Sequence, residues 1–188
     1  MTTDMITSKK MLKEFIKSDN PWQRPQNFKQ LILEWNASHT HWYLHRYLKY
    51  LRLTEYYSNT GKVFRALWYE GRKNRLGIRL NLEISQNCFG KGLSIYHQNC
   101  IINPAVRAGD NCILHGSNCI GNDGKTKGAP ILGNRVNVGY GAMIIGDISI
   151  ADDVNIGANA VVIHSVTEPG CTVTGIPAKI VRHGGTHD

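Results

Sequence analysis

The sequence predicts a mainly β protein, a parallel β-helix preceded by a short N-terminal α-helical segment. Three observations lead there. The first is a period of six: Leu132, Val138, Ile144, Ile150, Ile156 and Val162 are consecutive aliphatic hits in one fixed frame. Four places after each stands a second small or β-branched residue: Val136, Ala142, Ile148, Val154, Ala160 and Val166. Six is neither a helix period nor plain strand alternation. It is the repeat of a short strand and a corner, with the aliphatic and the small position both pointing inward. The second observation is the residue after each aliphatic, often small (Gly133, Gly139, Ala151, Gly157), with Ile145 and Ile163 as exceptions. Corners favour Gly, Asn and Asp because these tolerate left-handed backbone angles. The third is a compositional break near residue 80. Thirteen of the 16 aromatic residues lie at or before Tyr69, and 16 of the 19 glycines follow residue 80.

In chain order, residues 1–26 are polar, with a short helix expected around Lys9 to Lys17 and loop elsewhere. Phe28 to Trp35 reads as a short apolar helix. Thr40 to Tyr57 is the clearest helix, because Leu44, Tyr47, Leu48 and Leu51 form an i, i+3, i+4, i+7 stripe. Arg46, Lys49 and Arg52 fall away from that stripe. Ser58 to Gly61 is a turn. Lys62 to Asn74 is a further helix, expected to face inward with Val63, Phe64, Leu67 and Trp68, and the two helices make a hairpin against the first coil. The chain thus divides into a helical segment (1–80), the β-helix (81–173) and a tail (174–188) whose last residues, GGTHD, are expected to be disordered.

Within the β-helix the frame extends back through Ile120, Leu114, Ala108 and Ile102 to Ile84, with Tyr96 and Gly90 as less comfortable members. Phe89, Ile95 and Ile101 form a competing frame there. The inner small position then reads Cys88, Ser94, Cys100, Val106, Cys112 and Asn118. The regular phase breaks at Gly121 to Ile131, an inserted loop carrying Asp123, Lys125 and Lys127. It is either a lid over a site or a surface excursion without a role.

The formal charge is +8, which favours an anionic partner but equally suits a basic protein with nothing bound to its basic face. Arg46, Lys49, Arg52, Arg72, Lys73 and Arg75 either meet an anionic acceptor or membrane surface or form a solvated helix face. The basic residues carry no nucleic-acid motif. The start has no apolar core of signal-peptide length and no stretch approaches a membrane span, so a cytoplasmic protein is expected. No CxxC and no Cys/His cluster of zinc spacing is present among the five cysteines. No metal is therefore expected. Cys88, Cys100 and Cys112, spaced by twelve on the inner position, are expected to pack the core as reduced thiols.

One turn of a three-sided coil takes three hexads. On the continuous frame His97 and His115, eighteen apart, lie on one edge of successive coils, separated by one strand spacing of roughly 4.8 Å. Two imidazoles stacked this way are a candidate proton-handling pair; the alternative is that each is a corner residue with no task. His164 is a corner residue near the last coils.

The run GNRVNVGYGAMIIGDISIADDVNIGANAVV, followed by VTGIPAKIV, resembles the hexapeptide-repeat acyltransferases of the left-handed β-helix fold. FGKGLSIYH and INPAVRAGDNCILHGSNCIGN are most similar to serine acetyltransferases and to related capsule and exopolysaccharide O-acetyltransferases. The resemblance covers roughly residues 82–182. It implies acetyl-CoA as co-substrate, a homotrimer with active sites in clefts between neighbouring coils, and direct transfer. A histidine takes the proton of an acceptor hydroxyl as that hydroxyl attacks the thioester, and donors stabilise the oxyanion. No cysteine nucleophile is needed. The resemblance places His97 on the catalytic histidine, with His115 as a candidate second imidazole. It places Gly139, Tyr140 and Ala158 along the pantetheine arm, and Lys179 and Arg182 near the cofactor phosphates. For Gly139 and Ala158 the alternative is plain corner geometry, and for Lys179 and Arg182 a solvated tail. Two departures stand out. Serine acetyltransferases carry Asp before the catalytic histidine, where this chain has Tyr96, and a second histidine before a loop proline, where it has Ala129. The acceptor is then either a sugar hydroxyl of a surface polysaccharide precursor or L-serine, and these losses favour the sugar. They also support a rival reading, a non-catalytic hexapeptide scaffold or partner subunit. Metal-dependent hydrolysis needs several histidines across a subunit interface, and His97 with His115 is thin support for it.

Overall fold

The computed structural model describes residues 5–20, 27–29, 32 and 40–184. Among the described residues, helices α1 (Lys9–Ser18), α2 (Thr40–Asn59) and α3 (Val63–Leu80) precede short strands numbered from β1 (Leu82–Glu83) to β14 (Ala178–Arg182). Most of the expected Phe28 to Trp35 helix and the last four residues, 185–188, lie outside the described residues.

The strands wind as a left-handed parallel β-helix of three faces. One face holds β1 (Leu82–Glu83), β3 (Cys100–Ile102), β6 (Cys119–Gly121), β9 (Met143–Ile145) and β12 (Val161–Val162). A second holds β4 (Arg107–Ala108), β7 (Ile131–Leu132) and β10 (Ser149–Ile150). The third holds β2 (Ser94–Ile95), β5 (Ile113–Leu114), β8 (Asn137–Val138), β11 (Asn155–Ile156) and β13 (Thr172–Gly175), closed by antiparallel β14. Partners are 18 residues apart in regular coils, as in Asn137↔Asn155, and 24 apart where the 121–131 excursion intervenes, as in Cys119↔Met143. The insertion therefore adds one hexad and leaves the inward frame in phase. Inside it, Asp123 accepts the backbone N–H groups of Lys125 and Thr126, both at 2.9 Å, forming a local turn.

From Leu132 to Val162, and at the small positions from Cys88 to Asn118, the expected core is the observed one. Leu132, Val138, Ile144, Ile150, Ile156 and Val162 are all buried, as are Cys88, Ser94, Cys100, Val106, Cys112 and Asn118 on the small position. Burial pushes the Cys88 and Cys100 thiols up to about 11 and Cys112 to about 12. They sit as free thiols in the core, poor nucleophiles at neutral pH. Corner residues with left-handed angles include Asn81, Asn99, Asn111, Asp153 and Asn159.

Three expectations are corrected. First, the inward residues of the opening coil are Phe89 and Ile95, not Gly90 and Tyr96. The register Ile95↔Leu114 is 19 residues, so the corner after Ile95 holds one residue more than the others. Large apolar side chains fill the end of the coil better than Gly90 or a phenol. Second, α3 runs on to Leu80 and buries Ala66, Lys73, Gly77 and Leu80. Val63, Phe64, Leu67 and Trp68 face outward. Gly77 decides this: a Cβ there would lie 2.6 Å from the Leu82 carbonyl and 3.4 Å from the Tyr47 ring. Only this face lets the helix approach the coil, and Lys73 donates to the Ile84 carbonyl at 2.9 Å. Third, Arg52 is completely buried rather than solvated.

Arg52 closes the open end of the β-helix. Among the described residues no strand precedes the first coil, so its outer backbone groups need other partners. Arg52 donates to the carbonyls of Phe89 (2.9 Å) and Gly90 (2.6 Å), and to Asp19 (2.7 Å) and Glu55 (3.0 Å). Asp19 in turn accepts the N–H groups of Gly92 and Leu93, and the Asn20 side chain accepts that of Ile95. The end of α1 thus stands in for the missing strand. Burial opposes charge on Arg52, but Asp19 and Glu55 outweigh it and hold the guanidinium charged.

Candidate active site

The extra residue at the corner after Ile95 falls where the third face meets the first, and it carries Tyr96, His97, Gln98 and Asn99. Successive coils stack on this corner in a fixed order. The register Ile95↔Leu114↔Val138↔Ile156↔Val173 places His97, Gly116, Tyr140, Ala158 and Gly175 in one column. Tyr96, His115, Gly139, Gly157 and Thr174 form the neighbouring column. Four strand spacings separate the ends, roughly 19 Å.

His97 and His115 therefore do not stack on each other as the continuous frame predicted. The one-residue excess puts His97 over Gly116 and Tyr96 over His115. The Tyr96 and His115 rings meet edge-on at 4.9 Å between centroids. His97 approaches Tyr140 edge-on at 6.2 Å. Gly116 is required beneath His97: its φ is +118°, and a Cβ there would lie 2.6 Å from the His97 Cβ. Asn118, buried at the inner position, holds the turn by accepting the Gly116 N–H at 3.0 Å and donating to the Gly139 carbonyl at 2.8 Å. Its role in shaping the site has one sequence signal, a polar residue in a frame of apolar ones.

Both imidazoles nevertheless line one cleft of about 720 Å³, with Thr40 and His41 from the start of α2 and Tyr96, Gln98, Asn99 and Tyr140 from the coils. Gln98 donates to the Thr40 hydroxyl at 3.2 Å, tying helix to corner. Thr40 and His41 enter through tertiary packing, and no spacing in the sequence links them to His97. His97 is exposed in the cleft. His115 is held by Asn137, with Nε2 2.8 Å from its Oδ1, while the Asn137 amide donates to Asn155 at 3.2 Å. An amide oxygen only accepts, so Nε2 donates this bond, and in the neutral imidazole Nδ1 is left as acceptor. The lining is imidazole, phenol, amide and hydroxyl, with no carboxylate among the described residues.

Of the cofactor candidates, Gly139, Tyr140 and Ala158 fall on this same edge and Lys179 lies beside its far end, whereas Arg182 lies at the start of β13, off the corner. Tyr140 is half-exposed, its hydroxyl accepting from Ser117 at 3.0 Å. Gly139 must stay small: a Cβ would meet the Ile156 carbonyl at 2.6 Å and the Ala158 nitrogen at 2.7 Å. Lys179 pairs across the final hairpin with Thr174, at the far end of the column, and Arg182 with Thr172; both are exposed. His164 is exposed at a different corner, after the first face. No group of three metal-ligating side chains occurs among the described residues.

No protein-family model matches the chain. It is 42% identical over 95 residues to the serine acetyltransferase of Helicobacter pylori, covering 49% of this chain and 55% of that protein. It is 37% identical over 99 residues to that of Synechococcus elongatus, covering 51% of this chain and 40% of that protein. The chain thus spans about half the length of the curated relatives it matches. Among solved structures, the fold is shared with Neisseria gonorrhoeae serine acetyltransferase (24% identity, TM-score 0.65, 93% of this chain and 66% of that one). It is also shared with the soybean apoenzyme (21% identity, TM-score 0.67, 92% of this chain and 70% of that one). The hexapeptide-repeat acyltransferase resemblance read from the sequence, closest to serine acetyltransferases, holds.

Proposed function

We propose that this protein is an acetyl-CoA-dependent O-acetyltransferase acting on a hydroxyl of a small acceptor. One observation carries the reading: two adjoining corner columns form one edge that runs from a cleft histidine, His97, past small residues to Gly175 and Thr174, the latter paired with Lys179. An extended thioester laid along roughly 19 Å of that edge would bring its reacting end to His97. The small residues Gly139 and Ala158 leave corner backbone open to amides of the pantetheine arm, and Tyr140 flanks it. Lys179 and Arg182 supply positive charge for the phosphates.

In the transfer, the acceptor oxygen attacks the thioester carbonyl while the His97 imidazole takes its proton. Collapse breaks the carbon–sulfur bond, and the thiolate recovers that proton from the imidazolium. His115 has Nδ1 available as an acceptor and serves to orient the acceptor rather than to stack on His97. The buried cysteines take no part.

The acceptor we favour is a sugar hydroxyl of a surface polysaccharide precursor. Rings, amides and hydroxyls suit a neutral polyhydroxy compound, whereas an amino acid's ammonium calls for a carboxylate partner. L-serine is the second reading, favoured by the named activity of the relatives. Incubating the purified chain with acetyl-CoA and either L-serine or hexose and aminosugar acceptors, with products read by mass, separates them. Acetylated sugar without acetylserine is the expected result. Failure to bind acetyl-CoA or acetylate any acceptor overturns the enzyme reading in favour of a scaffold.

The reading includes a cytoplasmic homotrimer. On the first face, outward residues Ile101, Cys119, Met143 and Val161 stack in an apolar column directly beside the cleft. A neighbour seated there would wall the cleft. Met143→Arg is expected to lower the mass in light scattering from trimer to monomer while far-ultraviolet circular dichroism is unchanged. A monomeric wild type would count against the trimer.

A further inference from the structure

Helix α3 carries a surface that the proposed activity does not use. Opposite its buried residues, Phe64, Leu67, Trp68, Gly71, Arg75 and Ile78 follow one another at i, i+3, i+4, i+7, i+11 and i+14. Phe64 is 90% exposed, Ile78 84%, Leu67 59% and Trp68 53%. The stripe runs fourteen residues, roughly 21 Å at 1.5 Å per residue. Beside it, Arg65, Arg72 and Arg79 recur every seventh residue in a parallel row. Each guanidinium lies over an aromatic ring: Arg65 over Tyr57, Arg72 over Trp68 at 4.1 Å, and Arg79 over Tyr43. Ring contacts steady the arginines without neutralising them. The only acidic residue of the helix, Glu70, lies on the far side of the stripe from this row.

The geometry points to a docking face for an anionic lipid bilayer surface. A mostly apolar stripe of aromatic and aliphatic side chains, crossed once by Arg75 and flanked by a row of arginines, is the pattern of a helix lying in a membrane interface. The apolar side chains enter the acyl boundary and the arginines meet anionic headgroups. Charge complementarity selects this occupant: the arginine row meets anionic headgroups, whereas an antiparallel pairing of two such faces would set two arginine rows side by side. The net charge of +8 works in the same direction. Because α3 is capped by Asn81, whose amide donates to Asn99 in the cleft wall at 3.1 Å, a docked α3 would hold the His97 cleft close to the bilayer. No helix among the described residues is long and apolar enough to cross a membrane, so the contact would be peripheral.

The test is co-sedimentation of the full chain with vesicles of phosphatidylcholine alone or of phosphatidylcholine and phosphatidylglycerol in equal amounts. Binding is expected only to the anionic vesicles, and is expected to weaken as salt rises. Replacing Arg65, Arg72 and Arg79 by Gln should weaken it about a hundredfold, at roughly fivefold per cation. Phe64→Ser with Trp68→Ser should abolish it, with circular dichroism unchanged. The proposal is overturned if neither vesicle is bound, or if both are bound equally. It is also overturned if the arginine variant binds as wild type does. A fourth overturning result is that the Phe64/Trp68 pair instead lowers the mass of the protein's own assembly while wild type ignores vesicles.

Discussion

His97→Ala is expected to lower kcat by about 10²–10⁴-fold, the usual worth of a positioned general base, while the coil and its assembly persist. His97 is exposed at a corner, and its removal takes no side chain from the core. The measurement is steady-state acetyl transfer with the acceptor found for the wild type, beside thermal denaturation. Gly116→Ala is the companion. The new methyl would fall within 2.6 Å of the His97 Cβ at a φ of +118°, so the imidazole must move. Near-full activity in His97→Ala would remove His97 from the chemistry and shift attention to His115. Full activity in Gly116→Ala alone would show that the position of His97 tolerates displacement.

The largest effect on stability is expected from Arg52→Leu. It leaves Asp19 and Glu55 buried without their cation and strips the Phe89 and Gly90 carbonyls of a donor. Breaking a buried ion network from one side costs about 3–5 kcal/mol. For a domain of this size that is a fall in Tm of roughly 6–20 °C. Replacing Asp19 by Asn and Glu55 by Gln in the same chain should recover part of the loss, because fewer charges are then stranded. Burial already pushes the Glu55 carboxyl up, against the pull of Arg52 and the Asn87 N–H. A carboxyl raised in the fold binds its proton more tightly there than in the unfolded chain. Its contribution is therefore present at low pH and lost as pH rises through the folded value. Without Arg52 the rise is larger, so the variant's deficit relative to wild type should be smaller in mild acid than at neutral pH. A melting temperature within a degree or two of wild type would mean that the helices do not hold the first coil in this way.

The sequence by itself determined the repeat. A hexad frame records burial residue by residue, because each inward side chain meets only its own coil and the next. That locality made Leu132 to Val162, the cysteines at the small positions and the α2 stripe readable without coordinates. Counting also puts His97 and Gly139 at corners, while it is the family resemblance that singles out Gly139, Tyr140 and Ala158 as an edge. Counting failed where one residue was gained between Ile95 and Ile102. Two frames, Gly90 and Tyr96 against Phe89 and Ile95, fitted the residues about equally, and only packing at the coil's end chose between them. That choice turned a stacked pair of histidines into His97 over Gly116 and Tyr96 over His115. Long-range partners were likewise decided by the tertiary structure. Arg52 reads as a solvated cation until the open carbonyls of Phe89 and Gly90 are brought to it. α3 turns its Gly77 face inward because only that face can approach Leu82 and Tyr47. Thr40 and His41 reach the cleft because α2 is anchored on the first coil. In each case the partner lies far away in sequence, and backbone groups that lack a partner within their own element decide which side chain is buried.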